Sequence, residues 1–283
     1  VIILKATLLV ENNSLFDTFF HAEHGYSLYI EDGDKRILYD TGYSDAVVKN
    51  AVKMGIDLAG LDYIIISHAH YDHSGGVKHI IKYYKDNAVA RRPIMLMTGP
   101  EIFRKRYMIK EGRDISFDVD PDILEQYFKV QFEPNVRWLT PNLVYLGKVE
   151  RNNSFECRIP QVPKILINGQ YYDDYVEDDT QIAYLHNNKE EVSVFSGCSH
   201  NGMCNIMEYA KKVTGAKSIH TFLGGLHLQS PPEEVIASTV EYVKQIKVKN
   251  FYPCHDTDMP SKLRLAAISN FHEAGVSLQI ELE

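Results

Sequence analysis

No apolar run in the 283 residues approaches the roughly 20 needed to cross a bilayer. The opening "VIILKATLLV" is broken by Lys5 and lacks a small-residue cleavage site, so it reads as a first strand rather than a leader. Cysteine is scarce: Cys157, Cys198, Cys204 and Cys254 include no CxxC pair, which argues against a disulfide framework or a zinc ribbon. Positive charge is in deficit as well. Thirty Lys and Arg against 38 Asp and Glu give a net charge of −8, which disfavours a broad nucleic-acid or anionic-membrane surface and leaves a small-molecule substrate as the expected partner. Low-complexity tracts and solenoid periods are also missing. The cysteine usage fits a cytoplasmic protein, although the chain begins at Val1 rather than at a methionine.

What is present is an α/β pattern, with 45% hydrophobic residues, enough for a large core. One domain over 1–283 is expected. "GYSLYIEDGDKRILYDTG" reads as a hairpin closed at its Asp-Gly pair, followed by a helical stretch near 44–54 and the strand "LDYIIIS". Val77, Ile80, Ile81 and Tyr84 fall at i, i+3, i+4 and i+7, so a helix starts directly after residue 76. Residues 100–141 lose this rhythm and read as an insertion over the active-site region, with a short helix near 122–128; its "RKR" at 104–106 is either a solvated run or a contact for substrate phosphate. The second half repeats the grammar of the first. Three times a strand runs into a histidine and a helix follows, at His200, His227 and His255. In layered α/β folds the carboxyl ends of strands form the edge where ligands bind.

The densest chemistry lies in "SHAHYDHSGG", residues 67–76. His68 and His70 flank one residue at a strand end, a spacing that aims both imidazoles at one ion. Asp72 and His73 sit further round the turn and suit a second ion. Four ligand-type residues in six positions, squeezed between an apolar strand and a Gly-Gly helix entry, are a strong metal signal.

This stretch resembles the HxHxDH motif of the metallo-β-lactamase superfamily, and "LYDTG" at 38–42 looks like its early aspartate motif. The resemblance spans nearly the whole chain and implies a four-layer αββα sandwich with a dinuclear site. More narrowly, "SGCSHNGMCNI", "LGGLHL" and "YPCH" resemble the branch named after dihydropterin-6-methyl-ribofuranosylaminobenzene-phosphate synthase. That branch usually has Cys-Thr-Gly after the last histidine, where this chain has Asp256-Thr257-Asp258.

The resemblance implies that His68, His70 and His200 hold one ion and Asp72, His73 and His255 the other. Where relatives place a bridging aspartate the chain offers Cys198; His227 is the alternative, as ligand or as substrate contact. Asp40 is expected to orient a ligand histidine, and Glu23 and His24 either line the pocket or belong to a plain polar loop. His21, His79, His186, His220 and His272 are read as structural or surface residues.

Two divalent ions, zinc with manganese or iron as alternatives, point to a metal-dependent hydrolase in which Asp72 and His227 are the catalytic candidates. The alternatives are a transferase or synthase of pterin-type biosynthesis on the same metals, and a metal-containing ligand-binding protein without turnover. His70 stands where the superfamily's diiron flavoprotein branch has glutamate, which points away from redox catalysis. Oligomeric state has no signature in the sequence.

Overall fold

Strands Ser27–Asp32 and Lys35–Tyr39 pair antiparallel with Asp32 opposite Lys35. The two-residue loop between them starts at Gly33, whose φ of 60° is the left-handed value that a tight hairpin assigns to glycine. The computed structural model describes residues 3–156 and 161–283, and Cys157 lies outside them. They divide into two compact units. One is drawn from Val1–Pro134, Pro160–Asp178 and Gly275–Glu283, the other from Asn135–Ile159 and Asp179–Ala274.

The first unit is built on a seven-stranded mixed sheet in the order Gln279–Leu282, Leu4–Val10, Ser27–Asp32, Lys35–Tyr39, Tyr63–Ile65, Ile94–Met97, Lys129–Phe132. The four strands from Lys35–Tyr39 onward are mutually parallel. Parallel neighbours require crossovers, and helices Ala46–Lys53, Val77–Asp86 and Pro121–Tyr127 lie in the connections. Helix Val77–Asp86 buries the four residues its period predicts, Val77, Ile80, Ile81 and Tyr84. Each such side chain contributes about 1.5–3 kcal/mol on full burial. The Tyr84 hydroxyl, taken out of water with its ring, donates to the Leu58 carbonyl at 2.9 Å. Because Tyr39 pairs with Ile65 and Ile65 with Leu96, the parallel strands end together. That edge carries Asp40, the residues after Ile65, and Thr98.

Within the stretch read as an insertion, Arg106–Met108 and Arg113–Asp114 join Gln161–Ile167 and Gln170–Asp174 in a four-stranded sheet. Lys129–Phe132 becomes an edge strand of the first sheet. The short helix expected near 122–128 is Pro121–Tyr127, with Asp120 as N-cap and Pro121 in its first turn.

The second unit is a six-stranded mixed sheet in the order Asn250–Pro253, Ser218–Gly224, Glu191–Ser196, Ile182–Leu185, Leu143–Tyr145, Arg137–Trp138. Its first three strands are parallel, and helices Met203–Thr214 and Glu233–Ile246 connect them. Met203, Ile206, Met207 and Ala210 are buried on the first of these helices, packed with Val192, Val194 and Phe222 of the sheet. Ser196 stands opposite Gly224 and Gly224 opposite Pro253, so three strands end side by side just before Cys198, His227 and His255. Among the described residues no helix is long and apolar enough to cross a membrane.

Candidate metal centre

In the first unit, strand Tyr63–Ile65 leaves the sheet into Ser67-His68, and His70 then caps the single-turn helix Tyr71–Ser74 that carries Asp72 and His73. The turn is tight enough to crowd the rings together: His68 lies edge-on to His70 at 4.6 Å and tilted against His73 at 4.2 Å, centroid to centroid. Glycine permits this crowding. A Cβ on Gly76 would meet the Thr41 carbonyl oxygen at 2.0 Å, and one on Gly25 the Asp72 carbonyl oxygen at 2.7 Å. Thr41 in turn donates its N–H to the His73 carbonyl at 2.7 Å, tying the "YDTG" segment to the motif.

Asp40 organises the cluster. It adopts φ 59°, a left-handed conformation that aspartate tolerates better than most residues. Its Oδ2 accepts from His73 Nδ1 at 2.7 Å and from the Ser67 hydroxyl at 2.7 Å, and its Oδ1 from the Ser67 N–H at 2.7 Å. The Ser67 hydroxyl, having given its proton to Asp40, accepts from His68 Nδ1 at 2.9 Å. One buried carboxylate thus sets both His68 and His73 in the tautomer whose lone pair is on Nε2, the form a metal ion needs.

His70 is neutral for another reason: burial pushes its imidazole from the ordinary 6.5 down to about 4. In the unfolded chain it protonates near 6.5, so as pH falls the unfolded state takes up the proton first. Stability present above pH 6.5 is therefore lost as pH drops towards 4, by up to about 3 kcal/mol in metal-free protein. Thermal melts from pH 7 to 4 check this, with a shallower profile expected for His70→Gln.

His24 belongs to the cluster. Its Nδ1 accepts from Asn12 Nδ2 at 3.2 Å and its Nε2 faces Asp72 Oδ2 at 3.2 Å. Glu23 serves the fold instead, accepting from the N–H groups of Tyr43 and Ser44 at 3.0 and 2.9 Å just before helix Ala46–Lys53. Of the "RKR" run, Arg106 is neither a solvated side chain nor a phosphate contact. It is buried, with Nε on Asp174 Oδ2 at 2.8 Å and Nη2 on Asp178 Oδ1 at 2.7 Å, and Asp174 Oδ2 stands 4.0 Å from His70 Nε2. The sequence offers only the alternation of strand Arg106–Met108 as a hint of this.

The second unit assembles its own donors. Cys198, His200 and His227 each present a ligand atom within 4.8 Å of the others, and the rings of His200 and His227 are 4.3 Å apart. His255 is buried at the end of its strand. The three strand exits approach closely because Gly225 has no side chain; a Cβ there would meet the Gly197 and His255 carbonyl oxygens at 2.4 and 2.7 Å. Asp256, noted in the sequence only as a departure after the last histidine, is part of this set. Its Oδ2 accepts from His227 Nδ1 at 2.8 Å and from the Cys198 thiol at 3.3 Å, while Gln229 donates to its Oδ1. Its adjacency to His255 was the available signal. His186, His220 and His272 are occupied elsewhere, with Ser193, with Thr221 and stacked on Tyr252.

Residues 22–151 match the sequence model of the metallo-β-lactamase superfamily. The solved structure of Tm1679, described as a metal-dependent hydrolase of the β-lactamase superfamily, superposes with a TM-score of 0.81 at 24% identity, covering 99% of each chain. The chain has the metallo-β-lactamase fold. Its α/β fold of two mixed sheets flanked by helices is that superfamily's fold, as the sequence led us to expect. Two curated proteins of Methanocaldococcus jannaschii are similar over most of their length. An uncharacterized protein is 27% identical, covering 93% of this chain and 94% of its own. The second, named 7,8-dihydropterin-6-methyl-4-(β-D-ribofuranosyl)-aminobenzene-5'-phosphate synthase, is 28% identical, covering 90% of this chain and 87% of its own. Within the superfamily fold, the buried histidine, cysteine and aspartate clusters of this chain have the composition of metal-binding groups.

Proposed function

We propose that this protein is a metallo-β-lactamase superfamily member and a cytoplasmic metal-dependent hydrolase with a dinuclear centre, acting on a small phosphorylated or heterocyclic substrate. The carrying observation is the Asp40 network, in which one buried carboxylate holds His73 directly and His68 through Ser67. Such orientation is what ligating histidines require, and a merely solvated histidine loop has no use for it. The donors suit divalent zinc, manganese or iron: neutral imidazoles, one carboxylate and one thiol. In this reading His68, His70 and His200 hold one ion and Asp72, His73 and His255 the other, with Cys198 or His227 in the place of the bridging aspartate. When bound, two such ions bring the pKa of a shared water towards neutrality and polarise the electrophile.

The chain's own residues supply the remainder. Asp72, held by His24, orients as well as ligates. His227, partly exposed and fixed through Nδ1 by Asp256, has its Nε2 lone pair free to take a proton from the attacking water and pass it to the leaving group. The relative named as a synthase supports a second reading, condensation of a pterin or ribofuranosyl phosphate precursor on the same residues.

Stripping the protein with a chelator and adding back zinc or manganese tests the proposal against a panel of phosphate mono- and diesters and cyclic esters. Hydrolysis lost on stripping and restored by metal is expected. Tight binding of such ligands with no cleavage under any metal would favour a binding protein, and turnover only as condensation would favour the synthase.

A further inference from the structure

Asp178 and Asp179 are consecutive and fully or almost fully buried. The Asp178 Oδ2 accepts the backbone N–H of Ala69 at 2.9 Å, between His68 and His70. Its other oxygen takes Arg106 Nη2 at 2.7 Å, and its carbonyl takes the Thr98 hydroxyl at 3.0 Å. The Asp179 Oδ2 accepts the backbone N–H of Asn201, next to His200, at 3.1 Å, and Gln181 Nε2 at 2.8 Å. The Asp179 carbonyl receives Asn201 Nδ2 at 2.6 Å.

We propose that Asp178 and Asp179 are positioning residues that form a two-headed clamp, one fixing the backbone that carries His68 and His70 and the other the backbone that carries His200. This deepens the metal-centre reading and rests on it. A buried loop N–H must find an acceptor, and a carboxylate that is itself held by further donors fixes the direction of that N–H far better than a mobile water. Asp178 is so held by Arg106, and Asp179 by Gln181. Each contact lies within one compact unit. What joins them is a single planar peptide, whose flanking Cα atoms are about 3.8 Å apart.

The test uses the full chain. Amide exchange at Ala69 and Asn201 is measured by NMR in metal-free protein, and zinc affinity by chelator competition. Asp178→Ala is expected to speed exchange at Ala69, and Asp179→Ala at Asn201, by ~10-fold or more while core amides keep their protection. Each weakens zinc binding by about 10- to 100-fold, the usual cost of removing a group that orients a ligand. Asp178→Asn, which keeps an acceptor for Ala69, restores part of both losses, as a purely structural defect would not. Zinc affinity within twofold of wild type together with unchanged exchange at both amides overturns the clamp. If the alanine variants do not fold, Asp178→Asn and Asp179→Asn are judged by the same two readouts. A wild-type protein that binds no zinc overturns the metal centre itself, and the amide exchange still decides whether the clamp exists.

Discussion

His70→Ala is expected to lower kcat/KM of the metal-loaded protein by at least ~10³-fold, about 4 kcal/mol of transition-state stabilisation. The imidazole is buried in a ring cluster with His68 and is kept neutral by that burial, so it enters the centre ready to ligate. Alanine removes the donor and leaves an apolar methyl among polar groups that have already been desolvated. Orientation of its neighbours does not compensate, because Asp40 and Ser67 act on His68 and His73 and not on His70. Elemental analysis beside kinetics gives the check: metal content and activity fall together. Full activity in a variant that has lost its metal would sink the mechanism.

The second large effect is on stability. Arg106→Met is expected to destabilise the fold by about 3–5 kcal/mol, because it leaves the Asp174 and Asp178 carboxylates buried and uncompensated. A methionine fills much of the volume but donates nothing to either oxygen. Arg106→Lys keeps the charge on a single ammonium that cannot reach both carboxylates with the fork geometry of guanidinium, so an intermediate loss is expected. Urea unfolding of the three proteins at pH 7 measures both losses. Since Asp178 also holds Ala69, zinc affinity should weaken in step with the loss of this network. A midpoint unchanged in Arg106→Met would show that the carboxylates are satisfied without the arginine.

How much of this could be read before folding depends on the distance along the chain over which each interaction acts. The helix after the motif was legible because Val77, Ile80, Ile81 and Tyr84 lie on one face by the arithmetic of 3.6 residues per turn, and the structure buries all four. The hairpin was legible because Asp-Gly is a local turn signal, and the strand-ending histidines because a strand, a polar residue and a helix follow one another within a dozen positions. Of the "RKR" run, Arg104 and Lys105 are exposed as a solvated run would have them, and Arg106 alone departs from that reading. Composition makes a basic triplet a surface feature, and only the arrival of Asp174 and Asp178 from 68 and 72 residues away turns Arg106 inward. Asp256 was underread for the same reason. Beside His255 it is one more polar loop residue until the fold brings it to Cys198, 58 positions earlier.

The sequence by itself determined the fold class, the alternation of strands and helices, and the cluster of donors at 68–73. These rest on short-range periodicity and on residue types whose spacing along the backbone already limits what they can do. Only the tertiary structure decided which carboxylate serves which histidine: Asp40 for His73 and, through Ser67, for His68; Asp256 for His227; Asp178 for the peptide between His68 and His70. A hydrogen bond acts over about 3 Å and takes no account of sequence separation, so its partner is chosen where the strands end together and not where the residues are written.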